Sequence, residues 1–208
     1  MRRLAIFDLD GTLVDSRRDL ADAGNAARAA LGLPPIQVAD IVPMIGDGAG
    51  KLIERLTPGH GEDARRRAMD AFRADYATRL TAHTAAYAGI PEALATLRAR
   101  GWSIAVATNK PALFARPIIE RLELPCDGLR GGEGAKKPDP TMLHELMREL
   151  GAAPSTSWMI GDHHTDLIAA AAAGMRAVHC TWGFGRRDGA TASAEASHPR
   201  ELVALLDA

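Results

Sequence analysis

The chain has no excess charge of either sign, no long apolar run and almost no cysteine. Its 25 Lys and Arg side chains face 26 Asp and Glu, leaving a formal net charge of −1 across 208 residues. Such a balance provides no bulk attraction to nucleic acid or to an anionic membrane, so neither is expected as a partner. No apolar stretch approaches the roughly 18 residues that would cross a bilayer. The N-terminus begins with basic residues, but only Leu4–Phe7 separate them from Asp8, too short an apolar segment for a signal peptide. Cys126 and Cys180 lie far apart with no metal-type spacing. They read as reduced, buried small side chains, which sets a cytoplasmic location as the expectation. Internal repeats and low-complexity linkers are missing as well.

What is present is an ordinary globular composition, 47% apolar and 25% charged, with enough length for one large domain or a domain carrying an insertion. Short apolar runs recur at Leu4–Phe7, Trp102–Ala107, Cys126–Leu129, Trp158–Ile160 and Ala177–Cys180. Helical patterns alternate with them over residues 91–100, 111–122, 139–150 and 165–173, three of which stop at Gly101, Gly151 and Gly174. Strands alternating with helices predict a parallel sheet covered on both faces. Residues 16–83 break this rhythm. The spacing predicts helices over 16–31, with Ser16 as a cap, over 47–56 and over 62–80, and no strand. This segment reads as a small helical insertion placed soon after the first strand.

The most informative stretch is Asp8-Leu9-Asp10-Gly11-Thr12, directly after the first apolar run. Alternation along a strand sets Asp8 and Asp10 on one side, and Gly11 permits a tight turn. Burying two carboxylates is unfavourable unless a cation lies near them, and a divalent metal with a phosphate ester would meet that need. A strand ending in a solvated acidic turn is the alternative on these residues alone. Ligands of open α/β sheets bind beyond the carboxyl ends of the strands. The residues there are Thr108, Asn109 and Lys110 after the second run, and Gly161, Asp162 and Asp166 after the fourth. Lys136-Lys137 precede a helix. Several carboxylates, a hydroxyl and a lysine at one edge suit magnesium and phosphate.

Gly46-Asp47-Gly48-Ala49-Gly50-Lys51 lacks the positions of a phosphate-binding nucleotide loop. It reads as a loop of the insertion whose backbone, with Lys51, faces a substrate, or else as a plain helix start. His163-His164 read as loop residues packing beside the site; a transition-metal site is the alternative.

Asp8-Leu9-Asp10-Gly11-Thr12-Leu13, Thr108-Asn109, Lys137-Pro138 and Gly161-Asp162-His163-His164-Thr165-Asp166 resemble, in order and spacing, the four motifs of the haloacid dehalogenase superfamily of phosphatases. Thr108-Asn109-Lys110-Pro111, Lys136-Lys137-Pro138, Ile45–Ala49 and Thr181–Gly185 resemble its phosphoglycolate phosphatase group. The resemblance implies a Rossmann-like α/β core with a parallel sheet, at 1–15 and 84–208, and an α-helical cap domain at 16–83. It implies Asp8 as nucleophile, Asp10 as general acid and base, and Thr108 and Lys137 as the groups that hold the phosphoryl and Asp8. Thr12, Asn109, Gly46 and Lys51 become candidates for substrate binding. Asp8, Asp10 (through its carbonyl), Asp162 and Asp166 become those for Mg2+. The residues His163 and His164 depart from the small hydroxyl residue usual after Gly-Asp.

The expected activity is magnesium-dependent hydrolysis of a small phosphorylated metabolite, 2-phosphoglycolate first, through an aspartyl-phosphate, by a monomer or homodimer. Its rivals are a sugar-phosphate phosphatase and a phosphoglucomutase-like phosphotransferase. A catalytically silent binder is disfavoured by intact Asp8 and Asp10, and a dehalogenase by the acids at Asp10 and Asp162.

Overall fold

The computed structural model describes residues 2–207. Six parallel strands form one sheet: β1 (Arg2–Phe7), β4 (Trp102–Ala107), β5 (Gly128–Arg130), β6 (Ala152–Gly161), β7 (Arg176–Cys180) and β8 (Ala194–Ala196), in the order β5-β4-β1-β6-β7-β8. The remaining two strands, β2 (Val14–Asp15) and β3 (Ala85–Ala86), pair antiparallel with each other. β1 lies between β4 and β6, with Phe7 level with Val106 on one side and Ile160 on the other.

Alternation decides which face each side chain joins. Ala5 and Phe7 of β1, with Ile104 and Val106 of β4, pack on one side of the sheet; Leu4, Ile6, Ala105 and Ala107 pack on the other. The first side is covered by α5 (Ile90–Ala99), α6 (Ala112–Arg121) and α9 (Leu202–Asp207), the second by α7 (Thr141–Leu150) and α8 (His164–Ala172). Both faces of β1 are fully buried from Leu4 to Phe7, as a central parallel strand requires.

Between the pair β2–β3, the chain runs through α1 (Arg17–Ala29), α2 (Val38–Ile41), a short 3-10 turn at Val42–Met44, α3 (Ala49–Leu56) and α4 (Glu62–Arg79). α1 packs against α2, α3 and α4. Asp19, fully buried in the first turn of α1, accepts hydrogen bonds from the His83 and Thr84 amides and from Thr84 Oγ1, so the start and the return of the segment are held together. No helix among the described residues is long and apolar enough to cross a membrane.

Several expectations need correction. Ser16 occupies the N-cap position of α1 but makes no side-chain cap; its hydroxyl is drawn instead to a carboxylate of the site. The third helix begins at Ala49 and not at Asp47, because Gly48 adopts φ 87°, outside the helical region. β2, β3, β8 and α2 have no counterpart in the sequence reading.

Candidate active site

The carboxyl ends of β1, β4 and β6 converge on one cavity. Asp8 continues the β1 ladder by donating its amide to the Ile160 carbonyl at 2.9 Å. The chain then turns sharply, with the Leu13 and Val14 amides both donating to the Leu9 carbonyl at 3.0 Å. Gly11 sits in this turn at φ 93°, where a Cβ would lie 2.0 Å from Asp162 Oδ2. The side chain is missing because Asp162 fills the space.

Asp162, at the end of β6, is held on three sides. Thr12 Oγ1 donates to Oδ1 at 3.0 Å; the Phe184 and Gly185 amides donate to Oδ2 at 3.1 and 2.7 Å. Trp182 Nε1 donates to the Thr12 carbonyl at 3.0 Å and fastens the loop after β7 to the Asp10 turn. Lys137 Nζ lies 2.8 Å from Asp8 Oδ1, 2.6 Å from Asp166 Oδ1 and 2.5 Å from the Ala107 carbonyl. Asp166 also accepts from the His163 amide at 3.1 Å, in the capping box that opens α8.

Asp10 has other partners. Lys110 Nζ donates to both its oxygens, at 2.6 and 2.8 Å, and Ser16 Oγ to Oδ1 at 2.5 Å. Lys110 also reaches Tyr76 Oη of α4 at 2.7 Å. The Tyr76 ring stacks on Phe72 and meets Phe114 edge-on, at centroid distances of 5.7 and 5.3 Å. Two neighbouring carboxylates are thus separated chemically: one shares Lys137 with Asp166, the other holds Lys110.

Electrostatics mark the acidic cluster. One oxygen each from Asp8, Asp162 and Asp166 lies within 4.8 Å of the others. Burial, and then the charges of Asp8 and Asp166, push Asp162 up to about 8; burial pushes Asp8 up to about 6 against the pull of Lys137. For Lys137, burial acts downward, but Asp166 and Asp8 outweigh it and leave the ammonium favoured. Lys137 serves Asp8 and Asp166, and among the described residues no basic side chain pairs with Asp162. The deficit of positive charge therefore sits at Asp162. An all-oxygen donor set with that deficit fits a hard divalent cation, held by Asp8 and Asp162 with Asp166 beside them.

The cavity, about 660 Å³ with its open mouth, is lined by Asp8, Asp10, Thr108, Asn109, Lys110, Asp162 and His163 on the sheet side. Gly46, Gly48, Ala49, Leu52, Phe72 and Tyr76 line it from the helical segment. Of the residues picked from sequence, Asp8, Asp10, Thr108, Asn109, Gly46 and Asp162 line it; Lys137 and Asp166 stand directly behind Asp8. Two candidates are placed differently from the expectation. Thr12 is 0% exposed, is not among the residues lining the cavity and gives its hydroxyl to Asp162, so it supports that carboxylate. Lys51 points outward, its side chain 61% exposed and paired with Glu54, because α3 turns Leu52, Ile53 and Leu56 inward. For Asp10 the expected metal contact is the backbone carbonyl; its carboxylate stands apart from the acidic cluster and faces Lys110. The Asn109 side chain bridges loops, donating to the Gly46 and Lys137 carbonyls and accepting from the Lys137 amide. The sequence reading gave Ser16 only a helix-capping role, and gave no role to Lys110, Tyr76 or the Phe184-Gly185 amides. Lys110 carried a signal as the third residue after β4, and Phe184-Gly185 lay in the stretch Thr181–Gly185 that resembles the phosphoglycolate phosphatase group; Tyr76 carried none.

Comparison with known proteins agrees with this geometry. The family model of haloacid dehalogenase-like hydrolases matches residues 3–174. The chain belongs to that family. It is an enzyme, a phosphoric monoester hydrolase. It is 38% identical over 198 residues to a phosphoglycolate phosphatase of Rhodospirillum rubrum, covering 89% of this chain and 82% of the relative. It is 31% identical over 209 residues to a phosphoglycolate phosphatase of Aquifex aeolicus, covering 99% of this chain and 97% of that one. Among solved structures, a predicted phosphoglycolate phosphatase from Haemophilus somnus superposes with a TM-score of 0.92 at 27% identity, over 98% of this chain and 97% of the other.

Proposed function

We propose that this hydrolase is a magnesium-dependent phosphatase of small phosphomonoesters, with 2-phosphoglycolate as its leading substrate and an aspartyl-phosphate on Asp8 as its intermediate. One observation carries the proposal: Asp8 and Asp10 face the same cavity with different cationic partners, Lys137 and Lys110. Asp8, oriented by Lys137, attacks phosphorus. Asp10, placed beside it by Lys110 and Ser16, protonates the leaving alkoxide and then takes the proton of the attacking water. Two easier displacements replace one difficult one. Thr108, at the end of β4, donates to the phosphoryl oxygens. Magnesium at Asp8 and Asp162 would offset phosphate charge when bound.

The substrate choice rests on the relatives' names and on α3. Gly48 caps this helix without a side-chain hydrogen bond, and Gly48 and Ala49 line the cavity. The N-terminal end of α3, set at the cavity wall by Gly48 and Ala49, would favour a small anion such as the glycolate carboxylate. Residues 16–83 act as a cap that closes over the substrate and keeps water out. A second reading, a phosphatase of a larger and less charged alcohol, is favoured by the apolar wall of Leu20, Leu52, Phe72, Phe114 and Phe184.

A panel of metabolite phosphates, assayed for phosphate release with magnesium, tests these readings. Release from 2-phosphoglycolate far above the rest is expected. A peak on a sugar phosphate would move the assignment to the second reading. Failure of every monoester, or full activity in Asp8→Asn, would remove it.

A further inference from the structure

The proposed phosphatase chemistry uses neither of two side chains beside the acidic cluster. His163 and His164 open α8 with their rings 4.1 Å apart, tilted at 39°. Asp47, in the loop before α3, reaches the same place from the helical segment. One ligand atom each from Asp47, His163 and His164 lies within 4.8 Å of the others.

The three are oriented by their surroundings. Thr165 Oγ1 lies 2.9 Å from His163 Nδ1, which leaves Nε2 for the loop. There a Cβ on Gly46, at φ 122°, would stand 2.7 Å from Nε2, so the loop approaches the ring because residue 46 is glycine. Arg55 holds Oδ2 of Asp47 and donates to the Met44 carbonyl at 2.8 Å, bracing the loop and leaving Oδ1 of Asp47 free of it. Nδ1 of His164 is buried without a hydrogen-bond partner among the described residues; Asp188 Oδ2 is 3.4 Å away.

Two imidazoles and one carboxylate suit a borderline transition ion better than magnesium, which prefers oxygen throughout. A tetrahedral zinc with bonds of about 2.0–2.1 Å brings its ligand atoms to about 3.4 Å from one another. The ligand atoms, within 4.8 Å of one another, need close by no more than about 1.4 Å to reach that. A ring nitrogen fixed by hydrogen bonding at its other nitrogen is the usual preparation of a ligating histidine.

We propose that Asp47, His163 and His164 form a second metal site, for zinc and similar ions, that clips the loop of the helical segment to the core at the cavity mouth and slows turnover. Gly46, Gly48 and His163 all line the cavity, so an ion joining Asp47 to the histidines fixes the entrance through which substrate and product pass. The site shares no ligand with the acidic cluster.

Zinc chloride titrated calorimetrically into the full chain in excess magnesium tests the proposal, whatever the enzyme's substrate. The expected result is one zinc per chain, bound about tenfold or more weakly by Asp47→Asn and by His164→Gln and with wild-type affinity by Asp8→Asn, which strikes the acidic cluster. In magnesium-supported aryl phosphate turnover, zinc inhibition should need about tenfold more zinc in the same two variants, each compared with its own zinc-free rate. Either variant, shown to be folded by circular dichroism, decides. No zinc bound above magnesium, equal affinity in wild type and variants, or loss only in Asp8→Asn would each overturn the site; the last would place zinc in the acidic cluster.

Discussion

At the scale of single residues, Lys110 separates this site from a plain pair of acids. It grips both oxygens of Asp10 from a nearly buried position, with Tyr76 behind it. If Asp10 transfers the proton to the leaving group, Asp10→Asn should lower kcat for an alkyl phosphate by about 10²–10⁴-fold. It should lower kcat less for a nitrophenyl phosphate, whose leaving group needs little protonation. Lys110→Met frees Asp10 to move and should follow the same pattern at about 10²-fold for the alkyl ester. Equal losses on both esters would make Lys110 a packing residue. Asp8, Asp10, Thr108 and Asp162 were legible in the sequence because each lies within three residues of the end of an apolar run, and parallel strands deliver their C-terminal ends to one edge. Tyr76 was illegible: its partner lies 34 residues on, and only the packing of α4 over the sheet brings them together. Lys51 misled because charge can be read from sequence, whereas direction depends on which face of α3 is buried.

At the scale of elements, legibility follows the length of the buried apolar run: β6 spans ten residues, yet only Trp158–Ile160 stood out, because Ala152–Thr156 are half-buried or exposed. The longer helices and β1, β4 and β7 were found within a residue or two by periodicity. Strands of two or three residues such as β2, β3 and β8 are too short for a period to show. Yet β2–β3 is where the helical segment leaves and rejoins the core, and Asp19 is the fastening beside it. Asp19→Ala would leave the His83 and Thr84 amides and the Thr84 hydroxyl without their acceptor in a buried place. Losing such an acceptor destabilises by about 1–3 kcal/mol, or about 2–4 °C in Tm per kcal/mol for a chain of this size. Urea unfolding should show a lower midpoint, with Asp19→Asn intermediate because it keeps one acceptor oxygen. An unchanged midpoint in Asp19→Ala would mean that other contacts hold the junction.

For the whole molecule, the alternation of strands and helices was enough to predict the layered fold, but not the strand order, since adjacency in a parallel sheet is settled by crossovers that leave no local pattern. The charge arrangement has a global consequence as well. Without a metal, Asp162 titrates at about 8 when folded, pushed up by burial and then by Asp8 and Asp166, against 3.8 for an unperturbed carboxyl. Between those values the folded state binds more protons than the unfolded one, so stability falls as pH rises, and the fall ends above about 8. Asp8, raised by burial to about 6, adds the same sign up to that pH. His163 is lowered by burial and by His164, an opposite effect that ends once its unfolded form loses its proton near 6.5. Lys110 and Lys137 are raised by their acidic partners and act only above about 10. From pH 6.5 to 8.5 Asp162 therefore dominates. In EDTA, Tm should fall across this window in the wild type and stay level in Asp162→Asn. Magnesium should raise Tm more at pH 8.5 than at 6.5, because the ionised carboxylate is the ligand and binding to the folded state alone adds stability. A metal-free Tm that climbs over the same window would show that the cluster is already neutralised by the protein itself, and that Asp162 has no charge deficit for a cation to fill.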